Sequence, residues 1–226
     1  MLRRRKLLWV VAGLVLANLS AVVAQGTAPA QPPPVRILAL GDSLTAGYGL
    51  PRGEGFVSQL QAALRAEGFP TLTVLDGGVS GDTTAGGRAR LDWALAEKPH
   101  GAIVALGGND GLRGLPPAAT AQNLAAIMDR LLDRERIPVL LAGMKAPPNL
   151  GADYGREFEA GFARQAERQG VIFYPFFLDG VAAAPALNQP DGIHPNADGV
   201  AELVRRILPQ AKELAARAQL LAKDRA

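Results

Sequence analysis

Five short aliphatic runs, each halted by a glycine, a proline or a polar cluster, constrain this chain more than any other feature. They are Val35 to Leu40, Thr71 to Leu75, Ala102 to Leu106, Ile137 to Ala142 and Val171 to Tyr174. Most show little polar alternation, the pattern of strands buried on both faces rather than one. Helical spacing fills the intervals. Glu54 to Glu67 carries Phe56, Leu60, Ala63 and Leu64 on one face and stops at Gly68. Arg88 to Glu97 is predicted as a helix bounded by Pro99, and Pro116-Pro117 opens another bearing Leu124, Ile127, Met128, Leu131 and Leu132. Tyr154, Phe158 and Phe162 share a face, as do Val200, Leu203, Val204, Ile207 and Leu208. Pro209 is expected to bend or end that last helix, leaving a polar-alanine tail with little to bury. Strands alternating with helices over short connections imply right-handed βαβ units and a parallel sheet covered on both faces. The expectation is a single doubly wound α/β domain from Val35 to Ala226.

The residues ahead of that domain form a separate unit. Arg3, Arg4, Arg5 and Lys6 precede an apolar stretch from Leu7 to Ala24 that is interrupted only by Asn18 and Ser20. Residues 1–24 are therefore expected to be a secretory signal peptide, with a retained N-terminal anchor as the alternative. Residues 25–34, ending in Pro32-Pro33-Pro34, read as an extended Pro-rich linker. The leader also carries the apparent basicity. It holds four of the 24 Lys and Arg and none of the 21 Asp and Glu, leaving twenty against twenty-one, a net −1. The whole-chain pI of about 9.5 is thus no sign of nucleic-acid affinity. The absence of cysteine excludes disulfides, zinc-thiolate sites and a thiol nucleophile.

In a parallel sheet the segments that follow the strands converge on one edge, where ligands bind in open α/β folds. Four polar clusters fall there: Gly41-Asp42-Ser43-Leu44, Ser80-Gly81, Gly107-Gly108-Asn109-Asp110, and Asp191-Gly192-Ile193-His194. Each alone has an ordinary reading, Ser43 as a cap and Gly-Gly-Asn-Asp as a turn. Together they hold what acyl transfer needs. A serine hydroxyl is a weak nucleophile without a base, and the chain offers only His100 and His194. His100, between Pro99 and Gly101, precedes a strand and is expected to be a surface histidine at the opposite edge. His194 has Asp191 three residues earlier, a carboxylate spaced to hold the imidazole tautomer. The Ser43 amide, the Gly81 amide and the Asn109 side chain are candidate oxyanion donors.

In order and at this spacing, the four clusters resemble the four blocks of the SGNH (GDSL) hydrolase family. The chain is most similar to the exported branch that contains thioesterase I, lysophospholipase and bacterial arylesterases. The likeness extends to Ala46-Gly47-Tyr48, Leu112-Arg113-Gly114 and Pro175-Phe176-Phe177, and so spans Val35 to Pro209. The resemblance implies a three-layer α/β/α flavodoxin-like fold with a five-stranded parallel sheet. It implies Ser43 as nucleophile, His194 as general base, Asp191 as its orienting partner, and Ser43, Gly81 and Asn109 as the oxyanion hole. It implies no cofactor and no metal.

Several rivals stand beside this reading. A Gly-x-Ser-x-Gly elbow is missing, since Gly78-Val79-Ser80-Gly81 is followed by Asp82. A metallophosphoesterase is suggested by Asp42, Asp76, Asp82, Asn109, Asp110, Asp191 and His194, but such sites usually draw on more imidazoles. A periplasmic binding protein that has lost catalysis is a third class. Within the same catalytic set, a carbohydrate O-deacetylase is the alternative to a carboxylic ester or thioester hydrolase. The substrate is expected to meet the loop Lys145 to Tyr154, the segment Phe176 to Leu187 and Leu112 to Leu115. The chain is expected to be an exported, periplasmic or secreted monomer acting on a small acyl ester or thioester. No nucleic-acid partner is expected, and membrane contact only through an uncleaved leader.

Overall fold

A computed structural model describes residues 33–225; the leader and all of the linker but Pro33 and Pro34 lie outside them. In chain order the elements are β1 (Val35–Gly41), α1 (Ser43–Ala46), α2 (Phe56–Ala66), β2 (Leu72–Gly78), α3 (Thr84–Ala89), α4 (Leu91–Ala94) and β3 (Gly101–Ala105). There follow α5 (Gly108–Leu112), α6 (Pro117–Met128), β4 (Val139–Ala142), α7 (Ala152–Ala166), β5 (Val171–Tyr174) and α8 (Ala197–Asp224). The five strands form one parallel sheet in the order β2-β1-β3-β4-β5. This is the flavodoxin-like order, in which strand order reverses between β1 and β3 and opens a crevice at their carboxyl ends. Helices α2 and α8 pack together on one face; α3, α6 and α7 pack on the other. The three-layer α/β/α expectation holds.

The central strands are aliphatic because no face of them meets water. Every residue of β3 and β4 is buried, and β1 exposes only part of Arg36. Phe56, Leu60 and Leu64 from α2 and Phe158 and Phe162 from α7 close the two sides of the core.

Several local expectations are corrected. Strand β2 runs on through Asp76, Gly77 and Gly78, which pair with Ala39, Leu40 and Gly41. A Cβ at Gly78 would stand 2.4 Å from the Ala46 nitrogen, so its glycine admits the backbone of α1. The single helix expected over Arg88 to Glu97 starts earlier and is broken at Arg90 into α3, α4 and a 3₁₀ turn. Gly107-Gly108-Asn109-Asp110 is not a free turn, because residues from Gly108 onward wind into α5. Pro209 does not end α8, which runs for 28 residues with Pro209 inside it, and its second half buries Ala211, Leu214, Ala215, Ala218 and Ala222. That tail lies against the amino ends of the strands, with Leu214 and Ala218 filling the space beside Gly101. His100 is buried rather than on the surface, although it does lie at the amino edge. Its Nδ1 accepts the Arg36 backbone N–H at 3.1 Å while the His100 backbone N–H donates to the Arg36 carbonyl at 2.7 Å. Among the described residues no helix is long and apolar enough to cross a membrane.

Candidate active site

The carboxyl edge of β1 delivers Ser43. Asp42 caps α1, its Oδ1 accepting the Leu44 N–H at 3.0 Å, and this fixes Ser43 as the first residue of the helix. Gly47 ends the single turn in a left-handed conformation (φ 71°). The Asp42 carboxyl is buried, and loss of solvent pushes its pKa up to about 6 against the pull of the Leu44 amide and nearby His194.

The loop before α8 delivers the imidazole. His194 Nε2 lies 2.9 Å from Ser43 Oγ, and its Nδ1 lies 2.7 Å from Asp191 Oδ2. The other Asp191 oxygen accepts the backbone N–H groups of Ile193 at 2.9 Å and His194 at 3.0 Å. The His194 amide bond, the imidazole bond and the Ile193 amide hold the Asp191 carboxyl down at about 2. A carboxylate ionised to that pH only accepts, so the proton between the two residues belongs on Nδ1 and leaves Nε2 free to accept from the Ser43 hydroxyl. The loop itself is tied down by Gln189, whose amide nitrogen donates to the carbonyls of Tyr48 at 2.7 Å and Pro195 at 2.9 Å. The Tyr48 ring leans on the imidazole, with centroids 4.6 Å apart.

The loops after β2 and β3 complete the site. Gly81 adopts φ +85°, a conformation that L side chains rarely take, and its carbonyl accepts from Arg113 at 2.8 Å. Neither the Ser43 nor the Gly81 N–H donates to another group among the described residues. Asn109 is placed by the first turn of α5, with Nδ2 donating to the Asp82 carbonyl at 2.9 Å and 3.4 Å from Asp42 Oδ2. Asp110, its neighbour, is a structural group: its buried carboxylate accepts from Thr84 N and Oγ1 and from Thr120 Oγ1.

Beside Ser43 opens a cavity of about 580 Å³ running past the ends of β3, β4 and β5. Leu112, Met144, Ala146, Pro147, Pro148, Phe176, Leu178 and Ile193 give it a mainly apolar wall. Of the residues expected to meet substrate, Phe177 is instead core, packed edge-on against Phe56. Met144 was not singled out from the sequence, where it falls between the strand ending at Ala142 and the loop starting at Lys145. Tyr48 was noted only as part of the family likeness, and Gln189 escaped because its bond to Tyr48 spans 141 residues. Among the described residues no group of His, Cys, Asp and Glu forms a metal site.

A doubly wound sheet with a hydroxyl, an imidazole and a carboxylate in contact at its switch point has the architecture of a serine hydrolase. Residues 39–201 match the GDSL-like Lipase/Acylhydrolase family, and the chain belongs to that family of ester-cleaving enzymes. It is 41% identical over 179 residues to Esterase TesA of Pseudomonas aeruginosa, covering 79% of this chain and 88% of the relative. It is 36% identical to Thioesterase 1/protease 1/lysophospholipase L1 of Escherichia coli, covering 72% and 76% respectively. Among solved structures, AlinE4, an SGNH-hydrolase family esterase, is 49% identical with a TM-score of 0.67, covering 80% of this chain and 96% of its own.

Proposed function

We propose that the protein hydrolyses carboxylic esters and thioesters through an acyl-enzyme on Ser43. The observation that carries this reading is the continuous chain from Asp191 Oδ2 through His194 to Ser43 Oγ, with links of 2.7 and 2.9 Å. His194 Nε2 takes the hydroxyl proton as Oγ attacks the substrate carbonyl. Asp191 holds the ring and stabilises the imidazolium that forms. The oxygen of the tetrahedral intermediate is received by the Ser43 and Gly81 amides and by Asn109 Nδ2, worth roughly 3 kcal/mol for one such donor. Collapse expels the alcohol or thiol, which leaves with the proton from His194. Water, deprotonated in turn by His194, then releases the acid and restores Ser43.

The apolar cavity favours an acyl chain or aryl group over a sugar, and so an arylesterase, acyl thioesterase or lysophospholipase activity rather than carbohydrate deacetylation. The basic and then apolar leader supports export of the enzyme to the periplasm or beyond. The test is a chain-length series of p-nitrophenyl and coenzyme A acyl esters on the protein lacking residues 1–24. Turnover is expected to rise from acetyl to medium-chain substrates and to vanish in Ser43→Ala. A preference for acetylated sugars over every acyl chain would contradict the substrate assignment.

A further inference from the structure

The break between α3 and α4 is where a long helix was expected, and Arg90 occupies it. From that position its side chain turns toward the carboxyl edge of the sheet. Nη2 donates to the Gly41 carbonyl at 2.8 Å, and Nε donates to Asp82 Oδ2 at 2.6 Å. Both partners of this ion pair are more than four-fifths buried.

The neighbours of the two contacts are the three proposed oxyanion donors. Gly41 stands two residues before Ser43, and its carbonyl also accepts the Val79 N–H at 3.1 Å. Asp82 directly follows Gly81, and its carbonyl is the acceptor that fixes Asn109 Nδ2 at 2.9 Å. Arg90 therefore touches the segment bearing Ser43 through the Gly41 carbonyl, and holds by its carboxylate the residue that follows Gly81 and whose backbone carbonyl fixes Asn109.

A buried ion pair is a poor source of stability, because desolvation offsets most of its attraction. Arg90 also buries Nη1 with no protein partner among the described residues. What the pair does supply is geometry. A planar fork with divergent donors holds two acceptors at a fixed separation, which a lysine ammonium cannot do as rigidly. Oxyanion stabilisation depends on donors being in place before charge develops.

We propose that Arg90, through Asp82, is a positioning residue that sets the mutual spacing of the Ser43, Gly81 and Asn109 donors. The inference rests on the reading of those three groups as the oxyanion hole. It adds a residue that contacts neither substrate nor nucleophile and acts on the transition state through three loops. Part of the loss in an Arg90 variant is therefore shared with Asn109.

The experiment measures kcat and KM with p-nitrophenyl butyrate for Arg90→Met, Arg90→Lys, Asp82→Asn and Asn109→Ala, and for Arg90→Met combined with Asn109→Ala. Arg65→Met serves as control, since Arg65 makes a comparable half-buried bond to the Leu72 carbonyl away from the site. The proposal expects kcat to fall about 10- to 100-fold in Arg90→Met with KM within about twofold, a loss made in the transition state alone. Arg90→Lys recovers only part of it, and Asp82→Asn loses a similar amount. The double variant is expected to be little slower than Asn109→Ala, because the two changes damage one device. Arg65→Met keeps the wild-type kcat at whatever melting temperature it shows.

An unchanged kcat in Arg90→Met, a rise in KM alone, or losses that multiply in the double variant would overturn the proposal. Should Arg90→Met not fold, Arg90→Lys and Asp82→Asn carry the same comparison. Asn109→Ala separates the two levels of the argument. If its kcat is unchanged, the underlying oxyanion reading fails; if it is impaired and Arg90→Met is not, only the positioning role fails.

Discussion

The two ends of the same sheet hold the two histidines, and they are put to opposite uses. At the carboxyl edge, His194 lies between a carboxylate at 2.7 Å and a hydroxyl at 2.9 Å, on a loop beside an open cavity. At the amino edge, His100 is buried, and its Nδ1 is engaged by the Arg36 amide. Burial, with Arg36 and Arg225 nearby, lowers its pKa below the usual 6.5. The first ring is held at Nδ1 by a carboxylate and faces at Nε2 a hydroxyl with which it can exchange a proton; the second is held neutral as a hydrogen-bond acceptor. Residue type does not decide the role. The edge of the sheet and the partners it brings do.

The surroundings differ in the same way. The carboxyl edge gathers glycines, a buried Asp42 and amides with no partner, a set of groups waiting for charge. The amino edge is closed by the alanine face of α8, where Leu214 and Ala218 leave no room. One end is prepared for chemistry and the other seals the core, so substitutions at the two ends should separate activity from stability.

The largest effect is expected from His194→Ala, which removes the proposed base. Ester turnover should fall by about 10⁴-fold or more in kcat, with a melting temperature close to wild type. Turnover that persists at a tenth of wild type would dissolve the distinction between the edges. Asn109→Ala comes next, with kcat expected to fall about 10²–10³-fold and KM little changed. Steady-state kinetics on one aryl ester checks both.

At the sealed end Leu214→Ala reverses the pattern. Its fully buried side chain should cost about 2–5 kcal/mol of unfolding free energy in urea titrations while kcat stays within about twofold. A large loss of kcat in the folded variant would show that the amino edge is coupled to the site.

The smallest effect is a pH dependence at His100. Its folded pKa lies below the unfolded value, so as pH drops beneath about 6.5 the unfolded chain binds the proton first. The stability that neutral His100 contributes is present above that pH and is lost as the pH falls through the folded value. Asp42 acts in the opposite sense. Its folded pKa is raised to about 6, so its contribution is present below the unfolded carboxyl value and is lost as pH rises toward and past 6. Comparing wild type with His100→Gln isolates the first effect: the variant's melting temperature should fall less between pH 7 and pH 5, which bracket the ordinary imidazole pKa of about 6.5. Parallel curves would remove His100 from the account.

How legible these ends were differs as well. The carboxyl edge could be read from the chain because its groups follow strands whose aliphatic runs are plain in the sequence, and topology alone then brings Ser43, Gly81, Asn109 and His194 together. The amino edge could not. The tail after Pro209 is rich in alanine and charge, and only its packing against the strands, with Leu214 and Ala218 beside Gly101, turns its alanine face into a buried one. A proline inside a helix normally signals a stop, yet here packing on both sides of Pro209 outweighs one lost hydrogen bond. His100 misled for a similar reason: Pro-His-Gly has the composition of an exposed turn, and its Arg36 partner is 64 residues away. Arg90 was hidden inside the site for that reason too, its contacts joining strand ends 49 and 8 residues upstream. Local pattern located the strands and their loops. Long-range contacts decided which polar groups are tools and which are fasteners.

The central claim is that Ser43 carries the acyl group, and trapping that intermediate tests it most directly. The protein lacking residues 1–24 is mixed with a p-nitrophenyl acyl ester, quenched in acid within the first turnovers, and digested for mass spectrometry. The account predicts an acyl adduct on Ser43 that decays as product acid appears and is absent in Ser43→Ala. An adduct on another residue, or steady hydrolysis by Ser43→Ala, would contradict it.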